Sequence, residues 1–240
     1  MRILLNTGLL SFLVLLMSFS SDSRRLSAHM TSQKLHNGKV IKVEGDVYYN
    51  YNEGRMVVHY VYPTEYFFVT NPLGEVIFYY PESNQVMLEQ NDMLSSENDV
   101  LYFFLSNQTE SLGLKEGGFE LSDTRVEDAQ VITTWIPEKE SDREKIARVE
   151  MVHINYLPIY TGYYNGDEEI AKKIYYDEYL TLTEAMVPRR ITEIEFLANG
   201  DSIISKKQYS DIKTGFEARS QYFDFTVPED AERISINRRK

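Results

Sequence analysis

Short runs of apolar and aromatic residues recur along nearly the whole chain, and they constrain its fold more than anything else in it. Val57-Val58-His59-Tyr60-Val61-Tyr62 and Tyr66-Phe67-Phe68-Val69 are two such runs. β-branched and aromatic side chains suit a pleated, half-buried surface. The chain holds 18 Tyr and 12 Phe but carries a net charge of −12. An aromatic-rich sheet with so little helix to cover it must close on itself or hold something apolar.

The period of the pattern supports strands. Over 41–51 the odd positions are apolar or Gly and the even ones mostly polar, as in a strand with one buried face. Asn52-Glu53-Gly54 is turn chemistry, and 55–62 runs back. The inner face of this hairpin is expected to carry Val47, Tyr49 and Tyr51 opposite Met56, Val58 and Tyr60. Further strands are expected over 66–70, 75–80 and 85–90. They are separated by Asn71-Pro72-Leu73-Gly74 and Pro81-Glu82-Ser83-Asn84. Before the hairpin, Leu26, Met30 and Leu35 fall roughly on one side of a short helix over 24–36, with Asn37-Gly38 as its stop.

A second helix is expected over 97–107. Ser95 or Ser96 would cap it, and Glu97 and Asp99 place acids in its first turn. Its body, Val100-Leu101-Tyr102-Phe103-Phe104-Leu105, is apolar almost all round and must be covered on more than one side. It is expected to bury against the sheet near Met56, Val58 and Tyr60. A fixed cover and a movable lid both fit this pattern.

The second half again reads as strands, over 119–122, 130–136, 147–156, 169–179, 190–198, 202–212 and 220–226. Asn165-Gly166-Asp167 and Asn199-Gly200-Asp201 supply hairpin turns. The expectation is one mainly β domain over 24–240, with about 11–12 strands. No linker divides it.

The first 20 residues read as a cleaved signal peptide. Met1-Arg2 is a minimal positive start, 9–19 is apolar apart from Ser11 and Ser18, and Ser18-Phe19-Ser20 offers small residues for cleavage. The run is shorter than the ~20 residues a spanning helix needs. Cysteine is absent, which rules out disulfides, thiolate metal sites and an acylated N-terminal Cys. A secreted chain without disulfides suits a bacterial periplasm.

The acidic balance argues against nucleic acid, which needs clustered Lys and Arg. His29, His36, His59 and His153 lack the spacing of a metal or catalytic set. No nucleophile elbow, phosphate loop or dinucleotide fingerprint occurs. The chain therefore reads as no enzyme and as needing no cofactor. Asn107-Gln108-Thr109 matches a glycosylation sequon and reads as chance.

The order of elements resembles the LolA/LolB-like family of bacterial envelope lipoprotein carriers. The residues concerned are Gly54-Arg55-Met56-Val57 leading to Pro63, and Gly74-Glu75-Val76-Ile77-Phe78-Tyr79-Tyr80-Pro81 followed by Asn84-Gln85-Val86. Near the end, Phe223-Asp224-Phe225-Thr226-Val227-Pro228 is similar to the family's closing strand. Two departures stand out. Tyr62 precedes Pro63 where those carriers often place an Arg, and the segment from Pro63 to Gly74 is short for the extra hairpin they contain. The resemblance implies an α+β, mainly β fold: an incomplete antiparallel barrel wrapped over one or two helices around an apolar cavity. It implies a monomeric periplasmic carrier that takes acyl chains of a lipoprotein or lipid from an inner-membrane donor to an outer-membrane acceptor. Residues expected at such a cavity are Val47, Tyr49, Met56, Val58, Tyr60, Phe68, Phe78, Leu101, Phe104 and Trp135. Ordinary core packing is the competing reading for each of them, Trp135 included. A periplasmic sensor or protein-interaction module on the same fold is the alternative function.

Overall fold

The computed structural model describes residues 24–235. The expected signal segment lies outside the described residues. The strands are β1 (Arg25–His36), β2 (Lys39–Asn50), β3 (Arg55–Tyr62), β4 (Tyr66–Thr70), β5 (Glu75–Tyr80) and β6 (Gln85–Gln90), then helix α1 (Val100–Leu105). After it come β7 (Phe119–Glu127), β8 (Gln130–Pro137), β9 (Arg148–Ile154), β10 (Leu157–Tyr164), β11 (Ile170–Thr181), β12 (Met186–Phe196), β13 (Ser202–Thr214) and β14 (Glu232–Arg233).

All 14 strands lie in one sheet, ordered β14-β6-β5-β4-β3-β2-β1-β13-β12-β11-β10-β9-β8-β7. The pairings are antiparallel hairpins except two. β1 joins β13 antiparallel across the whole chain, and β14 joins β6 in parallel. Among the described residues β7 and β14 end the sheet without meeting, so the barrel is incomplete, as the resemblance implies. The first hairpin brings the expected inner faces together, with Val47 opposite Val58 and Tyr49 opposite Met56.

Four expectations are corrected. Residues 24–36 form β1, not a helix. Leu26, Ala28 and Met30 alternate with less buried neighbours, and Leu26 and Met30 satisfy both a period of 2 and a spacing of four. The pairing of β1 with both β2 and β13 decides between the two. The expected strand over 147–156 is β9 and then a turn, and a further strand, β10, follows it where none was expected. Asn155 and Tyr156 both take positive φ, 49° and 66°, the backbone of a two-residue hairpin turn. No Gly marked that turn. The expected strand over 220–226 is a 3-10 turn (Gln221–Asp224) followed by chain laid over the outer face of the sheet. The expected helix over 97–107 is one 3-10 turn (Ser96–Asn98) and then the six-residue α1. Ser95 caps the 3-10 turn, and Asp99 caps α1 through its carboxylate on the Leu101 N–H at 2.9 Å.

Three apolar clusters hold the sheet. The largest lies on the inner face, beneath α1. A second lies on the outer face, where Tyr222, Phe225 and Val227 cover Val57, Phe67 and Val69. Phe67 stacks between His59 and Phe225, each ring centroid 4.1 Å away. A third gathers Leu114, Trp135, Val149 and Met151 near the β7 edge.

Close approach of β2 and β3 requires Gly45. A Cβ there would stand 2.6 Å from the His59 carbonyl oxygen and 3.0 Å from the Tyr60 Cα, at the register shift between Glu44 and Gly45. Backbone cannot yield as a flexible side chain does. Gly45→Val is expected to lower stability by about 2 kcal/mol. An unchanged urea midpoint would contradict this.

Candidate functional site: an apolar trough under a short helix

α1 and the segment before it lie across the inner face. Polar groups fasten the segment to the turns at one end of β2–β5. Thr70 Oγ1 donates to the Leu94 carbonyl at 2.6 Å, and Ser95 Oγ donates to the Pro72 carbonyl at 3.0 Å. Ser96 Oγ donates to the Gly54 carbonyl. From the sheet, the buried Tyr49 hydroxyl donates to the Ser96 carbonyl at 3.2 Å. These bonds give an irregular segment the backbone partners that a helix or strand would otherwise supply.

The helix is greasy on nearly every side, and the fold meets that demand. Leu101, Phe104 and Leu105 join Leu26, Met30, Val47, Tyr49, Met56 and Val58 from one half of the sheet, and Tyr176, Val187 and Tyr209 from the other. Phe104 packs edge-on against Tyr176 and Tyr179, with centroids 5.8 and 5.9 Å away. Phe103 faces the opposite way, toward Gly113 in the following loop.

Two grooves open on either side of the start of α1, sharing Asn98 and Asp99 as a ridge. The first, about 300 Å³, runs over β3–β5 and is walled by Met56, Tyr60, Tyr66, Phe68, Phe78 and Met93. Tyr60 stacks on Tyr66 at 4.4 Å, and Phe68 meets Phe78 at 5.4 Å. The second, about 290 Å³, runs over β11–β13, where Ile174, Tyr176 and Ile191 lie beside Glu193, Lys206 and Lys207. A cleft of about 460 Å³ opens at the far end of α1, with Tyr51, Leu105, Leu182, Ala185 and Phe216 on its walls.

The inner face around Tyr60 and Tyr209 is a poor place for charge. Burial pushes the Tyr60 hydroxyl up to about 12, with Tyr66 adding to the shift. Burial also raises Tyr209, and the Asp99 carboxylate beside it works in the same direction. A site that keeps its phenols neutral suits an apolar occupant with few polar anchors. Among the described residues no group of three or more His, Asp or Glu side chains is placed to hold a metal ion.

Of the residues expected at the cavity, Val47, Tyr49, Met56, Val58, Leu101 and Phe104 meet in the inner cluster, with Tyr60 and Phe68 at its margin. Phe78 joins them through the first groove. The structure places Trp135 elsewhere. It is fully buried in the third cluster, its Nε1 donating to Thr133 Oγ1 at 3.0 Å. Sequence reasoning missed the opposite wall, Ile174, Tyr176, Val187, Ile191 and Tyr209. Ile174 and Tyr176, and Val187 and Ile191, fall on one side of their strands, but Tyr175, Pro188 and the Lys172-Lys173 and Lys206-Lys207 pairs blur the alternation. Their place opposite the first hairpin follows only from the β1–β13 pairing.

No family model and no curated protein matches the sequence. Solved structures do match in fold. A LolA superfamily protein from Nitrosomonas europaea is 14% identical, with 82% of this chain and 87% of that one covered and a TM-score of 0.51. A putative outer membrane lipoprotein-sorting protein domain from Vibrio parahaemolyticus is 10% identical, with coverages of 88% and 95% and a TM-score of 0.53. A DUF1329 family protein from Desulfovibrio piger is 12% identical, with coverages of 89% and 94% and the same TM-score of 0.53. A mainly antiparallel, unclosed sheet with a short apolar helix on its inner face, as the described residues form it, is therefore the fold this chain shares with these solved structures, the LolA superfamily protein among them.

Proposed function

We propose that the chain is a non-catalytic carrier of the bacterial periplasm that holds acyl chains of a lipoprotein or lipid in the trough under α1. The observation that carries this reading is the pair of grooves flanking α1, continuous with an inner face of Tyr, Phe, Met, Val and Ile. The likeness in fold to a LolA superfamily protein and a lipoprotein-sorting domain supports it. Each groove is near the small end of ligand pockets, about 300–1,000 Å³. A longer chain would need α1 to shift from the trough. Burial of each CH₂ is worth about 0.8 kcal/mol. Affinity differences between an inner-membrane donor, this carrier and an outer-membrane acceptor would then give transfer its direction.

Titration with a fluorescent fatty-acyl dye tests the reading. Binding at micromolar or better affinity is expected, without metal or nucleotide. Phe68→Gln, at the wall of the first groove, is expected to weaken binding at least about tenfold, since an unpaired amide facing an acyl chain loses its water. No binding by a chain whose circular dichroism confirms the fold would turn the assignment to the protein-interaction or sensor alternative.

A further inference from the structure

The β1–β2 hairpin reaches beyond the rest of the first half of the sheet. β2 pairs with β3 only from Glu44 onward, so 39–43 have no partner on that side. On this overhang apolar side chains face out on both surfaces. Val40 is 63% exposed and lies opposite Leu35 on one face, whereas Ile41 is 61% exposed and lies opposite Lys34 on the other. On the outer face Leu35 also adjoins Ile204 of β13, and Phe196, 40% exposed, ends the neighbouring β12.

The charge here is opposite to that of the chain. The ribbon carries Lys34, Lys39 and Lys42 and no acid between 31 and 43, on a protein of net charge −12. Lys42 pairs with Glu44 at its base. Lys34 and Lys39 take part in no ion pair among the described residues. Lys173 of β11 sits over the Phe196 ring, 5.4 Å from its centroid.

We infer that this ribbon docks the protein on an anionic lipid surface, with Leu35, Val40 and Ile41 entering the interface and the lysines reaching the headgroups. A protein partner would cover one face of a sheet. Apolar side chains on both faces of the free β2 edge at this end of the sheet are covered together only when that edge sinks into a medium that surrounds it. Lysine stems let apolar side chains go deep while the charges stay at the headgroups, and each cation adds to attraction for acidic lipid. The inference does not depend on acyl binding. The ribbon projects from the same end of the sheet as Ser32 and Lys207 on the inner face, which are paired across β1 and β13 and line the second groove. Docking there would bring that groove to the membrane.

The absence of cysteine makes the test local. Val40→Cys and, at the opposite end of the sheet, Glu53→Cys each give a single attachment point for an environment-sensitive fluorophore on the full chain. With vesicles of phosphatidylcholine containing phosphatidylglycerol, the probe at 40 is expected to shift to the blue and the probe at 53 to stay as in water. Replacing Lys34, Lys39 and Lys42 by Gln in the Val40→Cys chain is expected to weaken partitioning at least about tenfold, as is raising the salt to about 1 M. No shift at 40 on acidic vesicles overturns the inference and leaves the ribbon to a protein partner. A shift at 53 alone would mean that another segment, such as the apolar 9–19 run, makes the contact, and would overturn it too. Partitioning that ignores the three lysines also overturns it.

Discussion

Phe104→Ser is expected to cost about 3 kcal/mol or more of folding stability, read from the urea midpoint. The ring is fully buried between the two halves of the inner face. Its removal leaves a cavity lined by Tyr176 and Tyr179, and deletion of a buried Phe costs about 3–5 kcal/mol. The Ser hydroxyl adds the expense of an unpaired polar group. α1 is only six residues long, too short to hold a helix by itself, so its place depends on this packing. Acyl-dye affinity, measured under conditions where the variant remains folded, is expected to fall as well, because the helix holds the Asn98–Asp99 ridge in place between the grooves. Unchanged affinity in a folded variant would remove α1 from the site. Trp135→Ala provides the contrast. It opens a comparable cavity in the third cluster, so it should lower stability and leave dye affinity alone.

Alkaline pH is expected to unfold the protein sharply between about pH 10 and 12. Burial disfavours the phenolate, and it raises Tyr60 and Tyr163 to about 12. Burial likewise raises Tyr49, Tyr176, Tyr179 and Tyr209. In the unfolded chain these phenols titrate near about 10. Between those values the folded state binds more protons than the unfolded one, so stability falls as pH rises. It is whole below pH 10. A tyrosine held up at about 12, as Tyr60 and Tyr163 are, gives up as much as about 3 kcal/mol by the time that value is passed. Several such groups acting together remove much of the stability of an ordinary domain. Ultraviolet absorbance should show these phenolates appearing in one step, together with the loss of circular dichroism. Smooth titration of all the tyrosines near their usual value, with the sheet intact, would show that the inner face is open to water.

Much of this architecture is legible in the residues because local rules act there without competition. The first hairpin is specified twice, its inner faces by alternation over 41–51 and its reversal by the Asn52-Glu53-Gly54 turn, and the pairing of Val47 with Val58 brings those two faces together. The turns at Asn165-Gly166-Asp167 and Asn199-Gly200-Asp201 hold by the same logic: Asn165 Oδ1 accepts from the Asp167 and Glu169 N–H groups, and Asn199 Oδ1 from that of Asp201. The all-round apolar run 100–105 required a helix covered on several sides, and α1 is covered in that way.

What the sequence by itself determined, then, is a mainly β chain of hairpins with one wrapped helix and an apolar inner face. Tertiary structure decided three things. It made 25–36 a strand, because β2 and β13 both offered unpaired ladders, and two ladders outweigh the weak local preference of a segment that fits either period. It laid Tyr222 and Phe225 over the outer face, where burial against Phe67 replaced a place in the ladder. It set Ile174, Tyr176, Val187 and Tyr209 across from the first hairpin and left Trp135 outside the trough. The physical reason is the same for all three. Alternation tells which side of a strand is apolar, but which apolar sides face one another depends on pairings between residues nearly the full chain apart, and no local pattern encodes those.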